Sequence, residues 1–321
     1  MNTAQRIATQ ATIETLTFGV EIETYGLGIE KAAKIVLAVL WAGHEGDAPS
    51  ARHLGGHYDR TTARGPDGRE WTSMSDGSIS GSNGAEVVSP ILRGEADLLV
   101  LQSVVRALRA AGAKSDSEHR CGVHVHVGVA HLDAAAIGRC AKSVESIDGF
   151  IRKSCGIDAE RGRDWCCPLT TPTRQSGHVA NLAALGSART FGDLATAWYG
   201  SEYAAQDAAT VHYHGSRYHA LNLHSVFYAP GGRTPRGTVE FRYFDGTLHA
   251  GRIRAYVNLC RAIVARASVV RAASAAPVVV ETARQATAVL AAGLGLTGPQ
   301  FATTRAHLTA AWSPRAARRA A

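Results

Sequence analysis

The chain has 321 residues, 45% of them hydrophobic, and a formal net charge of +7. That is enough apolar material for one large globular domain or two smaller ones. No run of about 18 apolar residues predicts a membrane helix, and no basic start followed by an apolar stretch predicts a secretory leader.

The arginines are scattered, with no basic run interleaved with aromatics, so nucleic acid is disfavoured as a partner despite the positive charge. Arg315, Arg318 and Arg319 read as a solvated helix end. The six cysteines, Cys121, Cys140, Cys155, Cys166, Cys167 and Cys260, contain no CxxC pair. They read as reduced thiols of a cytoplasmic protein. Nothing in the sequence signals an oligomeric state.

In chain order, residues 1–15 are polar and expected to fray. A strand is predicted over Leu16–Tyr25. A helix over about Glu30–Trp41 follows, with Ala33, Val36, Leu37 and Leu40 on one face. Residues 48–67 read as a loop-rich arm. Strands are expected near Glu70–Met74 and Ala85–Ser89, with turn signals at Asp76-Gly77 and Asn83-Gly84 between them. Glu95–Ala111 reads as a helix ending at Gly112. After a strand around His124, Asp133 is the expected N-cap of a helix running to about Ser154.

The segment 155–213 reads as irregular, with one helix near Phe191–Tyr199. Strands are predicted over Ala220–Tyr228 and Thr238–Phe244, then a helix over Ala250–Ser268 and two Ala-rich helices past Pro277. The alternation lacks a βαβ rhythm, so the expected class is α+β. Three segments follow: a flexible N-terminus over 1–15, a catalytic domain over 16–270 and a helical extension over 271–321.

Three of the strands share a pattern. They are Phe18–Glu23, Cys121–Gly128 and Thr238–Tyr243. Side chains alternate faces along a strand. Glu21 and Glu23 therefore oppose Phe18, Val20 and Ile22. His124 and His126 oppose Val123, Val125 and Val127, and Glu240 and Arg242 oppose Val239, Phe241 and Tyr243. If these strands neighbour one another, Glu21, Glu23, Glu240 and the nearby Glu86 crowd together. Two carboxylates about 4 Å apart repel by roughly 4 kcal/mol at an effective dielectric of 20. Protonation, basic residues or divalent cations can relieve this. Carboxylates suit Mg²⁺ or Mn²⁺, and imidazoles shift the choice towards Mn²⁺ or Zn²⁺. Arg242 has the planar fork that grips phosphate. A second histidine group, His212, His214, His219 and His224, lacks ligand spacing on one element and reads as hydrogen-bonding groups. No P-loop and no nucleophile elbow is present.

The segments FGVEIET, WTSMSDGSI, GAEVVSP, CGVHVHVG, SRYHALNLHS and GTVEFRYFDGTLHAGRIRAY, in this order, resemble the amidoligase family of the carboxylate–amine ligase superfamily. The resemblance implies a glutamine-synthetase-like antiparallel sheet with helices on its outer face, using ATP and Mg²⁺ or Mn²⁺. It assigns Glu21, Glu23, Glu86, His124 and Glu240 as metal ligands. His126 would lie beside the nucleotide. Arg242 would neutralise the transferring phosphoryl group, and Arg217 and Asn222 would contact phosphate or substrate. Asp76 resembles a substrate-side acid. The implied activity joins an amino-acid, peptide or other carboxylate to an amine through an acyl phosphate. A metal-dependent hydrolase using the same Glu/His cluster is the alternative, since zinc lowers the pKa of bound water to about 7.

Overall fold

Thirteen α-helices and nine β-strands follow one another along residues 1–232 and 234–313, the part of the chain that the computed structural model describes. α1 (Thr3–Thr15) leads into β1 (Thr17–Thr24) and α2 (Ile29–Trp41). β2 (Arg52–Gly55) and β3 (Arg60–Arg64) precede β4 (Glu70–Met74), β5 (Ala85–Val88) and the short β6 (Leu92–Arg93). α3 (Gly94–Ala110) leads to β7 (Gly122–Gly128). Six helices come next: α4 (Ala134–Ser146), α5 (Asp148–Cys155), α6 (Ala159–Asp164), α7 (Leu182–Ser187), α8 (Phe191–Tyr199) and α9 (Glu202–Ala208). β8 (Leu221–Asn222), α10 (His224–Phe227) and β9 (Thr238–Asp245) follow. α11 (Ala250–Val269), α12 (Ala283–Ala288) and α13 (Ala302–Thr309) close the described chain. The strands build an antiparallel sheet, so the class is α+β.

The chain divides into two compact units, the first made of residues 17–125 and 244–257, the second of residues 1–16, 126–243 and 258 onward. This division interleaves the segments 1–15, 16–270 and 271–321. In the first unit the strand order is β2-β3-β4-β5-β1-β7, with β6 also paired to β1. α2 buries Ala32, Ala33, Val36 and Leu37 and packs on β3, β4, β5 and α3. Arg254 of α11 grips Glu95 of α3 with two hydrogen bonds of 2.6 and 2.8 Å. This bidentate fork ties α11 to α3.

In the second unit the order is β7-β9-β8. α4 lies against α7 and α8. A Cβ at Gly138 would sit 2.0 Å from the Leu185 carbonyl oxygen, so glycine is what lets α4 and α7 approach this closely. The apolar faces read from the sequence are buried in the core. Phe18, Val20, Ile22, Val123, Val125, Val127, Val239, Phe241 and Tyr243 are each at most 2% exposed.

Several elements differ from expectation. Residues 3–15 form α1, held by an Asn2–Gln5 capping box and by burial of Thr9 and Ile13. The arm over 48–67 carries the β2–β3 hairpin, which pairs onward to β4. The helix after Asp133 breaks at Ile147 (φ −108°, ψ 14°) into α4 and α5. The strand expected over Ala220–Tyr228 is only two residues long before the chain turns into α10. Within 155–213, α6, α7 and α9 accompany the expected α8, capped by Asp158, Asn181 and Ser201. Helices of six or seven residues are too short to be stable alone, so packing decides them. The Arg315, Arg318 and Arg319 tail lies outside the described residues. Among the described residues no helix is long and apolar enough to cross a membrane.

Candidate metal centre

The register of β1 against β5 sets Glu23 directly opposite Glu86. Like charges facing each other across antiparallel strands destabilise the pair. Here both are buried, at 3% and 5% exposure, which removes most of the screening by water. His124 of β7 joins them, also 5% exposed. One ligand atom from each of Glu23, Glu86 and His124 lies within 4.8 Å of the others. The imidazole is oriented from both sides. Its Nδ1 is 3.0 Å from Glu21 Oε2, and its Nε2 is 3.8 Å from Glu23 Oε1. The second Glu23 oxygen accepts the Gly122 N–H at 2.6 Å. Two carboxylates at the 4.8 Å limit repel by about 3 kcal/mol at an effective dielectric of 20. A buried set of two carboxylates and one imidazole is a donor set that fits a divalent cation such as Mg²⁺ or Mn²⁺.

Glu240, Arg242 and Asn222 meet in the second unit. β8 pairs with β9 so that Asn222 faces Glu240. The Asn222 amide donates to Glu240 Oε2 at 2.8 Å, and Arg242 Nη1 donates to Glu240 Oε1 at 2.5 Å. All three side chains are buried. Asn222 Oδ1 accepts the His224 N–H at 2.9 Å, which fixes the amide's orientation. Behind the strand, buried Arg161 of α6 donates to the carbonyls of Arg242 and Tyr243 at 3.1 and 3.2 Å. Arg161 braces the segment that carries Arg242, and no motif in the sequence marks it. Arg217 lies over the rings of Tyr213 and Tyr218, at 4.6 and 5.7 Å to the centroids. His126 is half-buried on β7.

Asp76 has a local task. Its Oδ1 accepts from Ser78 N at 2.6 Å and from Ser78 Oγ at 2.5 Å, which is the Asx-type turn that Asp-Gly signals. One constellation beside β1 was not read from the sequence. Tyr25 donates to Asp116 at 2.7 Å and stacks on His119 at 4.0 Å, and His119 Nδ1 lies 2.8 Å from Asp116. Its signal was the polar run Ser115–Arg120 just before the HVHV strand.

The second histidine group is hydrogen-bonded internally. His224 Nδ1 is 2.6 Å from Tyr199 Oη, and its Nε2 is 2.8 Å from the Val211 carbonyl. His214 Nδ1 meets Ser216 Oγ at 2.9 Å. His219 Nε2 is 2.9 Å from His178 Nδ1, a partner absent from the sequence reading. Burial pushes the His219 imidazole down to about 4, and His178's own charge adds to this. The six cysteines form no disulfide, and Cys166 and Cys167 are buried.

The family model described as "Putative amidoligase enzyme" matches residues 14–264. The chain belongs to the amidoligase family. The matched stretch contains Glu21, Glu23, Asp76, Glu86, His124, His126, Arg217, Asn222, Glu240 and Arg242, so this amidoligase carries every residue singled out above within the family region. A solved structure of a glutamine synthase homolog aligns with 99% of this chain and 71% of its own, at 14% identity and a TM-score of 0.41. No curated protein matches the chain.

Proposed function

We propose that this amidoligase is an ATP-dependent carboxylate–amine ligase that forms an amide or isopeptide bond through an acyl phosphate. The observation that carries the reading is the buried Glu23–Glu86–His124 triad in a chain of this family. Glu23, Glu86 and His124 would hold Mg²⁺ or Mn²⁺, with Glu21 and Glu240 as the further acidic ligands that the family resemblance assigns. The bound ion would supply positive charge to the ATP phosphates. With Glu21 on Nδ1, His124 presents Nε2 towards Glu23, the arrangement by which a carboxylate orients a ligating imidazole.

A substrate carboxylate oxygen attacks the γ-phosphorus, the bond from that phosphorus to the bridging oxygen breaks, and ADP leaves. The amine nitrogen then attacks the acyl carbon, the carbon–oxygen bond to phosphate breaks, and inorganic phosphate departs. The amine's surplus proton passes to a base, for which Asp76 is the candidate through Oδ2. Arg242, held in place by Glu240, would take up charge on the moving phosphoryl group, while Arg217, Asn222 and His126 would contact nucleotide or substrate. Phosphoryl transfer depends mainly on positioning and charge neutralisation, so a site of ligands and arginines suffices without a Ser or Cys nucleophile.

The test is ADP release from Mg·ATP, screened across amino acids and peptides as carboxylate–amine pairs. ADP, phosphate and amide should appear in equal amounts. Amide cleavage that proceeds without nucleotide would establish a metal-dependent hydrolase instead.

A further inference from the structure

The segment Ser115–Arg120 is polar throughout, and both of its ends are tied to Glu23. Ser115 Oγ donates to the Glu23 carbonyl at 2.7 Å, and the Gly122 N–H donates to the Glu23 carboxylate at 2.6 Å. Between those ties the chain turns tightly, with Arg120 at φ 57°, a left-handed conformation that residues with side chains disfavour. Tyr25 continues β1 by pairing with Lys114. Strand alternation puts its side chain on the face of Glu21 and Glu23, about 6.6 Å beyond Glu23 at about 3.3 Å per residue. The Tyr25 ring stacks on His119, so the loop brings His119 to the chemical face of the sheet. The loop carrying Asp76 closes in as well. Its Ser80 N–H donates to the His119 carbonyl at 3.1 Å, and a Cβ at Gly81 would sit 2.6 Å from Tyr25 Cγ, so glycine admits the ring.

Asp116 fixes the imidazole. Its Oδ1 accepts the His119 backbone N–H at 2.9 Å and lies 2.8 Å from Nδ1, and its Oδ2 accepts the Tyr25 hydroxyl at 2.7 Å. Partial burial raises the Asp116 carboxyl, but the bonds from Tyr25 and His119 outweigh it and hold the group below the usual carboxylate range. An ionised carboxylate only accepts, so Nδ1 carries the proton and Nε2 keeps its lone pair. Among the described residues no hydrogen-bond partner takes Nε2, and the side chain is 33% exposed. Glu118 and Cys121 are the other titratable groups close to this Tyr25–Asp116 pair, and the neighbouring cations Lys114 and Arg120 are exposed.

We infer that His119 is the general base of the second step, taking the surplus proton from the amine nitrogen through Nε2. The inference rests on the ligase reading, and it moves that proton from Asp76 to His119. An imidazole ordinarily titrates near about 6.5 and a carboxyl near about 3.9, so the imidazole is the better-matched base at neutral pH. Reach agrees. An attacking nitrogen stands about 3–3.5 Å from the acyl carbon, and its base about 2.6–3.2 Å from the nitrogen. The base therefore belongs about 6 Å beyond the acyl carbon, close to one strand repeat. The nitrogen lone pair forms the C–N bond while the carbonyl pair moves to oxygen. The cationic nitrogen passes one proton to Nε2. The pair on oxygen returns, the C–O bond to phosphate breaks, and phosphate leaves with the bonding electrons. The imidazolium, offset by Asp116, releases its proton to solvent.

Long-range proton–nitrogen NMR on the full chain, without nucleotide at pH 8, reads the tautomer. His119 should carry its proton on Nδ1, and an Nε2–H tautomer would overturn the inference whatever the activity. Turnover is then read with Mg·ATP and a pool of the twenty common amino acids, with and without hydroxylamine, a nucleophile largely unprotonated at neutral pH. His119→Gln should lower amide formation at least about tenfold more than hydroxamate formation, with its circular dichroism melt checked against the parent and His119→Asn as the second variant. Raising the pH should restore its amide formation, because an amine ordinarily titrating near about 10 then arrives as the free base. A merely structural loss would not recover with pH. Equal losses of amide and hydroxamate in His119→Gln would overturn the inference. So would an amide-to-hydroxamate ratio that moves in Asp76→Asn and not in His119→Gln, which would return the proton to Asp76. A parent that forms neither ADP nor hydroxamate would sink the ligase reading, and this inference with it.

Discussion

Among single residues, Glu23, Glu86 and His124 matter most, because their ligand atoms lie within 4.8 Å of one another. Glu86→Gln removes one of two facing buried charges while keeping the shape. In EDTA its stability should equal or exceed the parent's by about 1 kcal/mol, because about 3 kcal/mol of repulsion is relieved against the loss of favourable contacts. The parent should gain about 2.7 kcal/mol from Mn²⁺ at a hundredfold excess over its Kd, and Glu86→Gln should gain almost nothing. A variant that still responds to Mn²⁺ like the parent would remove the triad as a metal centre. Glu21→Gln should act more gently in this unit. Through its 3.0 Å contact with Nδ1 it loosens the His124 imidazole, a change that weakens metal binding by about 10–100-fold, and any ligand bond of its own to the ion is lost besides.

Arg242→Lys should lower kcat for ADP formation by at least about tenfold and change the KM for ATP far less. An ammonium cannot reproduce the bidentate fork, and charge on the moving phosphoryl group develops in the transition state. Equal losses in binding and turnover would make Arg242 a ground-state anchor of Glu240 instead.

At the scale of elements, legibility followed periodicity. β1, β7 and β9 were readable because apolar and chemical side chains alternate with period two; the apolar set is at most 2% exposed, and Glu23, His124, Glu240 and Arg242 of the chemical set are buried as well. α2 and α3 were readable from their long apolar stripes, and α11, buried on every side from Ile253 to Ala265, from its length. Asp158, Asn181 and Ser201 do cap α6, α7 and α9, but a cap residue followed by six or seven residues carries too little periodic signal. The β2–β3 hairpin was obscured because Arg, His and Gly dominate it, and its stability comes from pairing to β4.

The His178–His219 contact joins α10's neighbourhood to the loop before α7, and it counts protons. His219 Nδ1 faces the Pro168 carbonyl at 3.0 Å, and His178 Nε2 faces the Trp198 carbonyl at 2.6 Å. Three hydrogen bonds across two rings require three ring protons, one more than two neutral imidazoles carry. Burial opposes that extra charge and wins, since desolvation lowers both imidazoles and takes His219 to about 4. The unfolded chain therefore binds more protons than the folded one between about pH 6.5 and 4. The stability from neutral His219 is fully present above about pH 6.5 and is lost as pH falls through 4, a drop of about 3 kcal/mol. Urea unfolding at pH 7 and 4.5 should show this slope, and His219→Gln should flatten it. An unchanged slope in the variant would assign the acid sensitivity to other groups.

At the scale of the whole molecule, the ordered motifs disclosed the family, which the match over residues 14–264 establishes. They disclosed the α+β class as well. They did not disclose the division into two units, because each unit is assembled from separated stretches of chain and β7 and β9 run from one into the other. They were silent too on a cavity of about 750 Å³ in the second unit, since its wall gathers isolated apolar residues from α4, α8, α9 and α10 that share no sequence period.

A divalent cation held by the triad for nucleotide chemistry would be visible directly in a crystal. The most direct measurement is anomalous diffraction from crystals grown with Mn²⁺ and a non-hydrolysable ATP analogue. A manganese peak is expected within about 2.0–2.6 Å of Glu23, Glu86 and His124, with the analogue's phosphates on the same ion. A bound analogue with no manganese at those three side chains would contradict it.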